Sequence, residues 1–378
     1  MLRIKESTIS NILFKVLYVF IAIDIVNGAG KVPGILEKLY SLFLATFYAL
    51  LILSFIISIK RKANLVQGLV LSMMLWQLIV TFTNPSTMSL NMLYQITGWP
   101  LLFYIVYDLT KRGKFTLPDL KPFFFLWIAA SIYVVYILRT QTFNDMYRTY
   151  YLIAAVPFYL YKQDKWKYIR LLSTIAIILI TYKRTAFAAL FAGLAVYYIC
   201  DVYIQRKKFQ KYKKTFMLVI AIITVGIILY YNFDNLAVIR RMKRIFSDNG
   251  SDRFTIWATL LSHYKEQGLL YKLIGNGYEG CRMILNNAFA AAHNDFVEIL
   301  MDYGAVGVMF LLAFLCTICR YFFLSFKKRL PDTPGFAYIF IVLLFFMLFS
   351  FAMWQSILMK LIAIYLAYLI ANYKCNIN

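Results

Sequence analysis

Stretches of about 18 or more mostly apolar residues recur along the whole chain. An apolar stretch of that length, wound into a helix, crosses the hydrocarbon core of a bilayer. The composition agrees, because 62% of the residues are hydrophobic and only 15% are charged, against roughly 45–50% and about 25% in soluble domains. The short alternating strands of a membrane β-barrel are not seen in the sequence. We therefore predict an all-α, polytopic integral membrane protein.

The apolar windows predict about twelve transmembrane helices. The last two windows form one long apolar run, which we divide at Trp354-Gln355-Ser356 because these residues interrupt it. The predicted spans lie near residues 10–26, 39–59, 65–82, 90–108, 122–138, 148–161, 168–182, 185–204, 215–231, 303–324, 336–353 and 357–373.

The formal net charge of +23 would suit a nucleic-acid-binding protein. In a membrane protein, however, Lys and Arg collect in the cytoplasmic loops. With the N-terminus inside, basic runs at 60–62, 111–114 and 205–214 all fall on the inner side. We therefore predict that both termini are cytoplasmic, and we interpret most of the charge as an orientation signal.

One connection breaks this pattern. Residues from about 232 to 292 are polar and mixed, and they face outward by this count. A loop of this length without a span is uncommon unless it is functional. The chain is thus divided into a transmembrane bundle of about nine helices at 1–231, one large extracytoplasmic loop with short amphipathic helices at 232–292, and C-terminal transmembrane helices at 293–378.

The outer loop carries two basic features. Residues 236–246 form an amphipathic pattern that includes Arg240 and Arg241, which suits either an interfacial helix that meets lipid phosphates or a guide for an anionic lipid-linked substrate. A second helix is predicted over 253–267, ending at Gly268. Arg253 lies in its first turn, where the helix dipole disfavours a cation, so Arg253 is a candidate for holding an anion.

The end of the outer loop predicts a third helix, which begins at His293 or Asn294. Asp295, Glu298 and Asp302 share one face of it by their spacing. Such acidic residues either stabilise the helix N-terminus or bind a divalent metal, although no second cluster of ligands is visible in the sequence.

An outer turn between two spans contains Lys183-Arg184. Cations at a membrane boundary usually reach lipid headgroups, but positive charge is disfavoured on the outer side by the topology rule. Arg184 is therefore a second candidate for binding an anion.

Short motifs follow one another in a fixed order between about residues 181 and 307. They are Lys183-Arg184, Arg253-Phe254-Thr255-Ile256-Trp257, Gly275-Asn276-Gly277, Ala292-His293-Asn294-Asp295-Phe296-Val297-Glu298, and Gly304 with Gly307. In this order they resemble the O-antigen ligase/polymerase superfamily, and most of all its Wzy-type polymerases of O-antigen, capsule and exopolysaccharide. Two positions depart from the family pattern, because Lys183 replaces a common Ser and no Pro precedes the Gly275 motif.

The resemblance implies a GT-C-like fold and a glycosyl transfer at the outer face of the bacterial cytoplasmic (inner) membrane, without metal or cofactor. Donor and acceptor would be glycans on undecaprenyl diphosphate, with His293 activating the acceptor hydroxyl and Arg184 and Arg253 contacting the diphosphate. Membrane lipid, a chain-length regulator and a flippase are candidate partners, and nucleic acid is not. Further candidate substrate contacts are Lys183, Trp257, Asn294, Glu298, Arg240 and Arg241.

Three functions remain open at this point: a polymerase of lipid-linked repeat units, a ligase that transfers glycan to lipid A core, and a polysaccharide or lipid-carrier transporter. A transporter is expected to bury charges in the middle of its spans. The ionisable residues expected inside spans, Lys15, Asp24 and Lys360, are few and are expected to be scattered. The concentrated polar chemistry lies in one outer loop instead, which favours the two enzymes. His263, inside the predicted helix 253–267, is expected to have no catalytic role.

Overall fold

The computed structural model describes residues 6–27, 34–59, 63–83, 90–117, 121–138, 150–161, 166–180, 184–205, 253–286, 291–353 and 356–375. Every regular element within these ranges is an α-helix. The helices are α1 (Glu6–Asn27), α2 (Gly34–Ile59), α3 (Leu65–Thr83), α4 (Leu90–Lys111), α5 (Lys121–Leu138), α6 (Tyr150–Tyr161), α7 (Lys167–Ile180), α8 (Arg184–Gln205), α9 (Arg253–Glu266), α10 (Leu269–Ile274), α11 (Gly280–Ile284), α12 (Asp295–Lys327), α13 (Thr333–Phe349) and α14 (Ser356–Cys375).

Six of the described helices, α1, α2, α3, α8, α12 and α14, contain segments long and apolar enough to cross a membrane, and α5, α6 and α13 contain shorter apolar segments. Each predicted span coincides with one of these helices or with α4 or α7, except the span at 215–231, which lies outside the described residues. The polytopic helical architecture is therefore confirmed. The number of crossings, their orientation and the domain boundaries stay predictions.

The centre of the bundle is formed by α4 and α14, which pack against each other, and by α13, which packs against α8. These helices are apolar around most of their circumference, which is typical of helices that are covered by other helices or by lipid. Nearly every side chain from Ile357 to Ala371 is buried, as is the run from Leu101 to Tyr107. Aromatic residues fill this core, including Trp99, which packs against Phe314.

The connection between α13 and α14 starts earlier than the sequence predicts. The predicted span continues to residue 353, whereas α13 ends at Phe349 and residues 350–353 form a mostly buried, non-helical connection. The physical reason is a distant partner, since the Asp295 carboxylate accepts hydrogen bonds from the backbone N–H groups of Ala352 (2.8 Å) and Met353 (3.1 Å). These groups are satisfied outside a helix, so the helix need not continue.

Two of the ionisable residues expected inside spans are close in space, which corrects the expectation that they are scattered. Asp24 in α1 and Lys360 in α14 are buried, and the Asp24 carboxylate acts electrostatically on the Lys360 amine. Tyr151 donates a hydrogen bond of 2.7 Å to Asp24. The Lys360 Nζ atom lies 3.6 Å from the centre of the Tyr94 ring. Lys15, in contrast, is exposed.

Candidate functional site

The short loop of residues 291–294, which we call the His293 loop, is held by hydrogen bonds to both backbone groups of Ala292. The Ala292 N–H donates a hydrogen bond of 2.6 Å to Glu298 Oε2, and the Ala292 carbonyl accepts one of 2.7 Å from Trp257 Nε1. His293 follows with a φ of 55°, in the left-handed region that non-glycine residues seldom adopt. Such a backbone persists where its surroundings fix it, and here Trp257 and Glu298 do so.

Asn294 begins α12 as its N-cap, which confirms the predicted start of this helix. Its Oδ1 atom accepts hydrogen bonds from the backbone N–H groups of Phe296 (2.9 Å) and Val297 (3.2 Å), which have no partner within the helix. Its Nδ2 atom donates to the Leu348 carbonyl at 3.2 Å. Asn294 therefore also joins the His293 loop to the C-terminal turn of α13.

Asp295, Glu298 and Asp302 share one buried face of α12, as the sequence predicts. Each carboxylate accepts a hydrogen bond from a different stretch of backbone: Asp295 from the 350–353 connection, Glu298 from Ala292, and Asp302 from the Cys281 N–H at 2.7 Å. They thus hold three separate connections against α12. Among the residues that the structure describes, no three His, Cys, Asp or Glu side chains are arranged to hold a metal ion.

The 350–353 connection links the His293 loop to the first turn of α8. The Phe351 and His293 rings have centroids 5.4 Å apart. At the adjacent end of α13, the Phe349 carbonyl accepts a hydrogen bond of 3.3 Å from Thr185 Oγ1. Thr185 follows Arg184, the first residue of α8. The structure therefore places the backbone of Arg184 at the same end of the bundle as His293.

Arg253 is the first residue of α9 and is half-buried. This helix begins at Arg253 and ends at Glu266, close to the predicted 253–267. Trp257 lies one helical turn after Arg253, on the same face, and it is the residue that donates to the Ala292 carbonyl. The start of α9 therefore lies beside the His293 loop. The packing of α9 against the His293 loop and α12 is supported by an apolar cluster. This cluster contains Ile256, Leu260, Cys281, Leu285, Ala292 and Met301.

Gly275 and Gly304 form a close backbone contact between the end of α10 and a kink in α12. Gly304 has a φ of 66° and Gly275 a φ of 83°, both in the left-handed region. A Cβ atom on Gly304 would collide with the backbone of Leu273, and one on Gly275 with the backbone of Asp302. The Tyr303 carbonyl at the kink accepts a hydrogen bond of 3.1 Å from Trp76 Nε1. Glycine is required at both positions by geometry.

Residues 169–312 match the Wzy_C family model, which is described as O-antigen ligase. This segment is therefore similar to a domain of the O-antigen ligase/polymerase superfamily. The matched segment includes the starts of α8 and α9, the His293 loop and the kink at Gly304. A comparison with curated proteins found no match.

The superfamily-like motifs therefore divide into two groups in this chain. Arg184, Arg253 and His293 lie on elements that meet at one end of the bundle. The Gly275-Asn276-Gly277 motif is structural instead, because the N–H groups of Asn276 (2.9 Å) and Gly277 (2.8 Å) donate to the carbonyls of Met301 and Asp302 at the kink. The candidate contacts Lys183, Arg240 and Arg241 lie outside the described residues, as do the predicted helix 236–246 and the turn that follows it.

Three predicted substrate contacts have their polar atoms directed at the protein itself. The Trp257 indole and the Glu298 carboxylate bind the backbone carbonyl and N–H groups of Ala292, and the Asn294 amide caps α12.

The 350–353 connection is a part of the site that the sequence does not predict. The one related signal in the sequence is the interruption of the apolar run at 354–356. His263 is exposed on α9.

Cys281 is buried beside this site and has no exposed thiol. Desolvation raises the pKa of the Cys281 thiol above its ordinary value, and the nearby carboxylates of Glu298 and Asp302 raise it further. A thiol of raised pKa is a poor nucleophile, because the thiolate is the reactive form. Cys281 therefore serves the packing between α11 and α12.

We expect Gly304→Ala to destabilise the protein strongly, because the added methyl group collides with the Leu273 backbone and the residue must keep a positive φ. The expected cost is more than about 2 kcal/mol. Gly268→Ala is the matched control, since its Cβ would meet nothing within 4 Å and its φ is −63°. Thermal unfolding of the two purified variants in detergent measures the difference, and equal melting temperatures would contradict the structural role of the kink.

Proposed function

We propose that this protein is a glycosyltransferase that polymerises undecaprenyl-diphosphate-linked oligosaccharide repeat units of an O-antigen, capsule or exopolysaccharide. The observation that carries the proposal is the meeting of three elements at one end of the bundle, within the segment that matches the family model. These elements are the His293 loop and the first turns of α8 and α9, which begin with Arg184 and Arg253. The site would face the outer side of the cytoplasmic membrane.

In this proposal His293 is the general base. The acceptor sugar hydroxyl has a very high pKa, so it attacks poorly unless a base takes its proton as the new bond forms. The hydroxyl oxygen bonds to the anomeric carbon of the donor, the bond from that carbon to the diphosphate oxygen breaks, and undecaprenyl diphosphate leaves. The proton passes to the His293 imidazole, which is suited to this role near neutral pH. General-base help of this kind contributes roughly 10²–10⁴-fold in rate.

Arg253 and Arg184 are proposed to neutralise the charge that develops on the leaving diphosphate. Arginine suits this role because its planar guanidinium donates two parallel hydrogen bonds to phosphate oxygens and stays charged. Cations that are already fixed where negative charge develops lower the activation barrier, because they need not move during the reaction. With two arginines in this position the reaction needs no metal ion. Lys183, Arg240 and Arg241 are proposed as further contacts to the anionic substrate.

Trp257, Glu298 and Asn294 are proposed to position His293 rather than to bind substrate. Their hydrogen bonds fix the backbone of Ala292, which precedes His293, and the start of α12, which follows it. A general base acts efficiently only when it is held within hydrogen-bond reach of the proton it takes. The restraint of the His293 loop thus supports the catalytic assignment of His293 itself.

The family description favours a second candidate, a ligase that transfers the finished glycan to lipid A core. The same His293 and arginine chemistry would serve both reactions, because both transfer a glycan from undecaprenyl diphosphate to a sugar hydroxyl. The two enzymes differ in the acceptor. They also differ in one partner, because a polymerase would work with a chain-length regulator. Both would receive their substrate through a flippase.

The glycan profile of a deletion strain distinguishes the two enzymes. If the protein is a polymerase, its loss leaves single repeat units on the final acceptor, because ligation continues without chain extension. If it is a ligase, no glycan reaches the acceptor and polymer accumulates on the carrier lipid. We expect the first pattern by gel electrophoresis and by analysis of the carrier-lipid fraction. The second pattern would replace the polymerase proposal by the ligase, and an unchanged profile would contradict both.

A further inference from the structure

The short helix α10 presents an exposed apolar surface in a region that otherwise lies outside the membrane spans. Leu269, Leu270 and Leu273 are 74%, 64% and 44% exposed, and Tyr271 between them is also exposed. The next residue, Ile274, instead packs against the main core. A cluster of exposed leucines is uncommon on a surface that faces water, and it marks a surface that contacts something apolar.

The position of α10 is fixed by the kink in α12. The backbone of Leu273 and Ile274 lies against Gly304, and Gly275 lies against Asp302. Beyond Gly304, α12 continues to Lys327 as an apolar helix roughly 35 Å long, enough to cross the hydrocarbon core of a bilayer. The acidic face of α12 precedes Gly304, whereas the span follows it. The kink therefore separates the acidic segment of α12 from its apolar segment, and the end of α10 packs at this boundary.

Basic side chains border the leucines of α10. The Lys272 ammonium donates a hydrogen bond of 2.8 Å to the Lys265 carbonyl across the corner between α9 and α10. Lys265 itself is exposed, and one acidic residue, Glu266, accompanies the two lysines. Apolar side chains flanked by lysines are typical of elements that lie in the membrane interface, where the leucines enter the acyl boundary and the lysines meet lipid phosphates.

We propose that α10 is an interfacial membrane anchor, with Leu269, Leu270 and Leu273 inserted into the outer leaflet of the bilayer and Lys265 and Lys272 at the lipid phosphates. Because the end of α10 packs against the backbone of α12 at Gly304, and α9 is packed on α12, the anchor sets the height of Arg253 and the His293 loop above the membrane. The anchor itself does not depend on the proposed function. Its consequence for catalysis rests on the proposed function, since the diphosphate of a lipid-linked glycan lies at the height of the lipid phosphates.

A fluorescent probe on the full-length protein tests the anchor. Cys316, Cys319 and Cys375 are replaced by alanine, while the buried Cys200 and Cys281 are kept. Leu270→Cys is then labelled with an environment-sensitive nitrobenzoxadiazole group in nanodiscs of phosphatidylethanolamine and phosphatidylglycerol. Ser262→Cys is the matched control, because Ser262 is exposed on α9 and is polar.

We expect lipids that carry a nitroxide near the headgroup to quench the probe at position 270 more strongly than the probe at 262, by a factor of about three or more. Iodide in the water should show the opposite order. Equal quenching at the two positions by either agent would overturn the proposal.

A second pair of substitutions tests whether the leucines themselves hold the probe in the lipid. Leu269→Ser and Leu273→Ser change exposed side chains, so the fold should persist, which gel filtration checks. In this background the probe at 270 should shift its emission to the red and lose its excess quenching by the nitroxide lipids. An unchanged signal would contradict the role of the leucines. None of these readouts requires enzymatic activity, so their failure is separate from a failure of the proposed function.

Discussion

His293→Ala should abolish chain extension while the protein still reaches the membrane. Loss of a general base lowers the rate by roughly 10²–10⁴-fold, which would leave no visible polymer. The hydrogen bonds that hold the His293 loop involve the Ala292 backbone and the Asn294 side chain, so they remain when the imidazole is removed, and the ring contact with Phe351 is lost. The glycan profile of a complemented deletion strain measures the effect, and immunoblotting of membranes measures the amount of protein.

Two further variants separate catalysis from backbone strain. Asparagine tolerates the left-handed conformation of residue 293 better than alanine but is no base, so His293→Asn should be equally inactive. His263→Ala, an exposed histidine on α9, should leave the polymer nearly unchanged. Full-length polymer in the His293→Ala strain, at ordinary protein levels, would disprove the general-base assignment.

The second large effect is expected for Arg253→Ala. Removal of a donor that stabilises developing negative charge typically lowers the rate by about 10²–10³-fold. Arg253→Lys keeps the charge but loses the bidentate geometry, so we expect an intermediate rate. The measurement is the initial rate of polymer formation by membranes that contain equal amounts of each variant.

Arg282→Ala is the control for Arg253. Arg282 is exposed on α11 and forms an ion pair of 3.6 Å with Glu279, so the rate should stay close to that of the unchanged protein. If Arg253→Ala and Arg282→Ala behave alike, whether both are active or both inactive, the specific role of Arg253 in binding the diphosphate is wrong.

Local sequence patterns were sufficient to predict the helices and several of their ends. Apolar windows gave the positions of the described spans, because a membrane helix must satisfy its backbone internally and present apolar side chains outward. The start of α12 followed from Asn294, whose side chain caps the helix locally. The common face of Asp295, Glu298 and Asp302 followed from helical spacing alone.

The roles of those carboxylates could not be predicted, because their partners are distant in the sequence. Asp295 binds the backbone at Ala352, 57 residues away, and Thr185 binds the Phe349 carbonyl, 164 residues away. The structural role of Gly275 and Gly304 could not be predicted either, since only the packed structure shows that their backbones touch. Long-range contacts between polar side chains and backbone carry no periodic signal in the sequence.

The most direct test of the central claim is a reaction with purified components. The full-length protein, reconstituted in liposomes, is incubated with undecaprenyl-diphosphate-linked repeat units in the presence of EDTA. We predict a ladder of polymer with release of undecaprenyl diphosphate, and no ladder with His293→Ala. A reaction that stops in EDTA and returns with Mg²⁺ or Mn²⁺ would contradict catalysis by His293, Arg184 and Arg253 without a metal, and no polymer with or without these ions would contradict the polymerase itself.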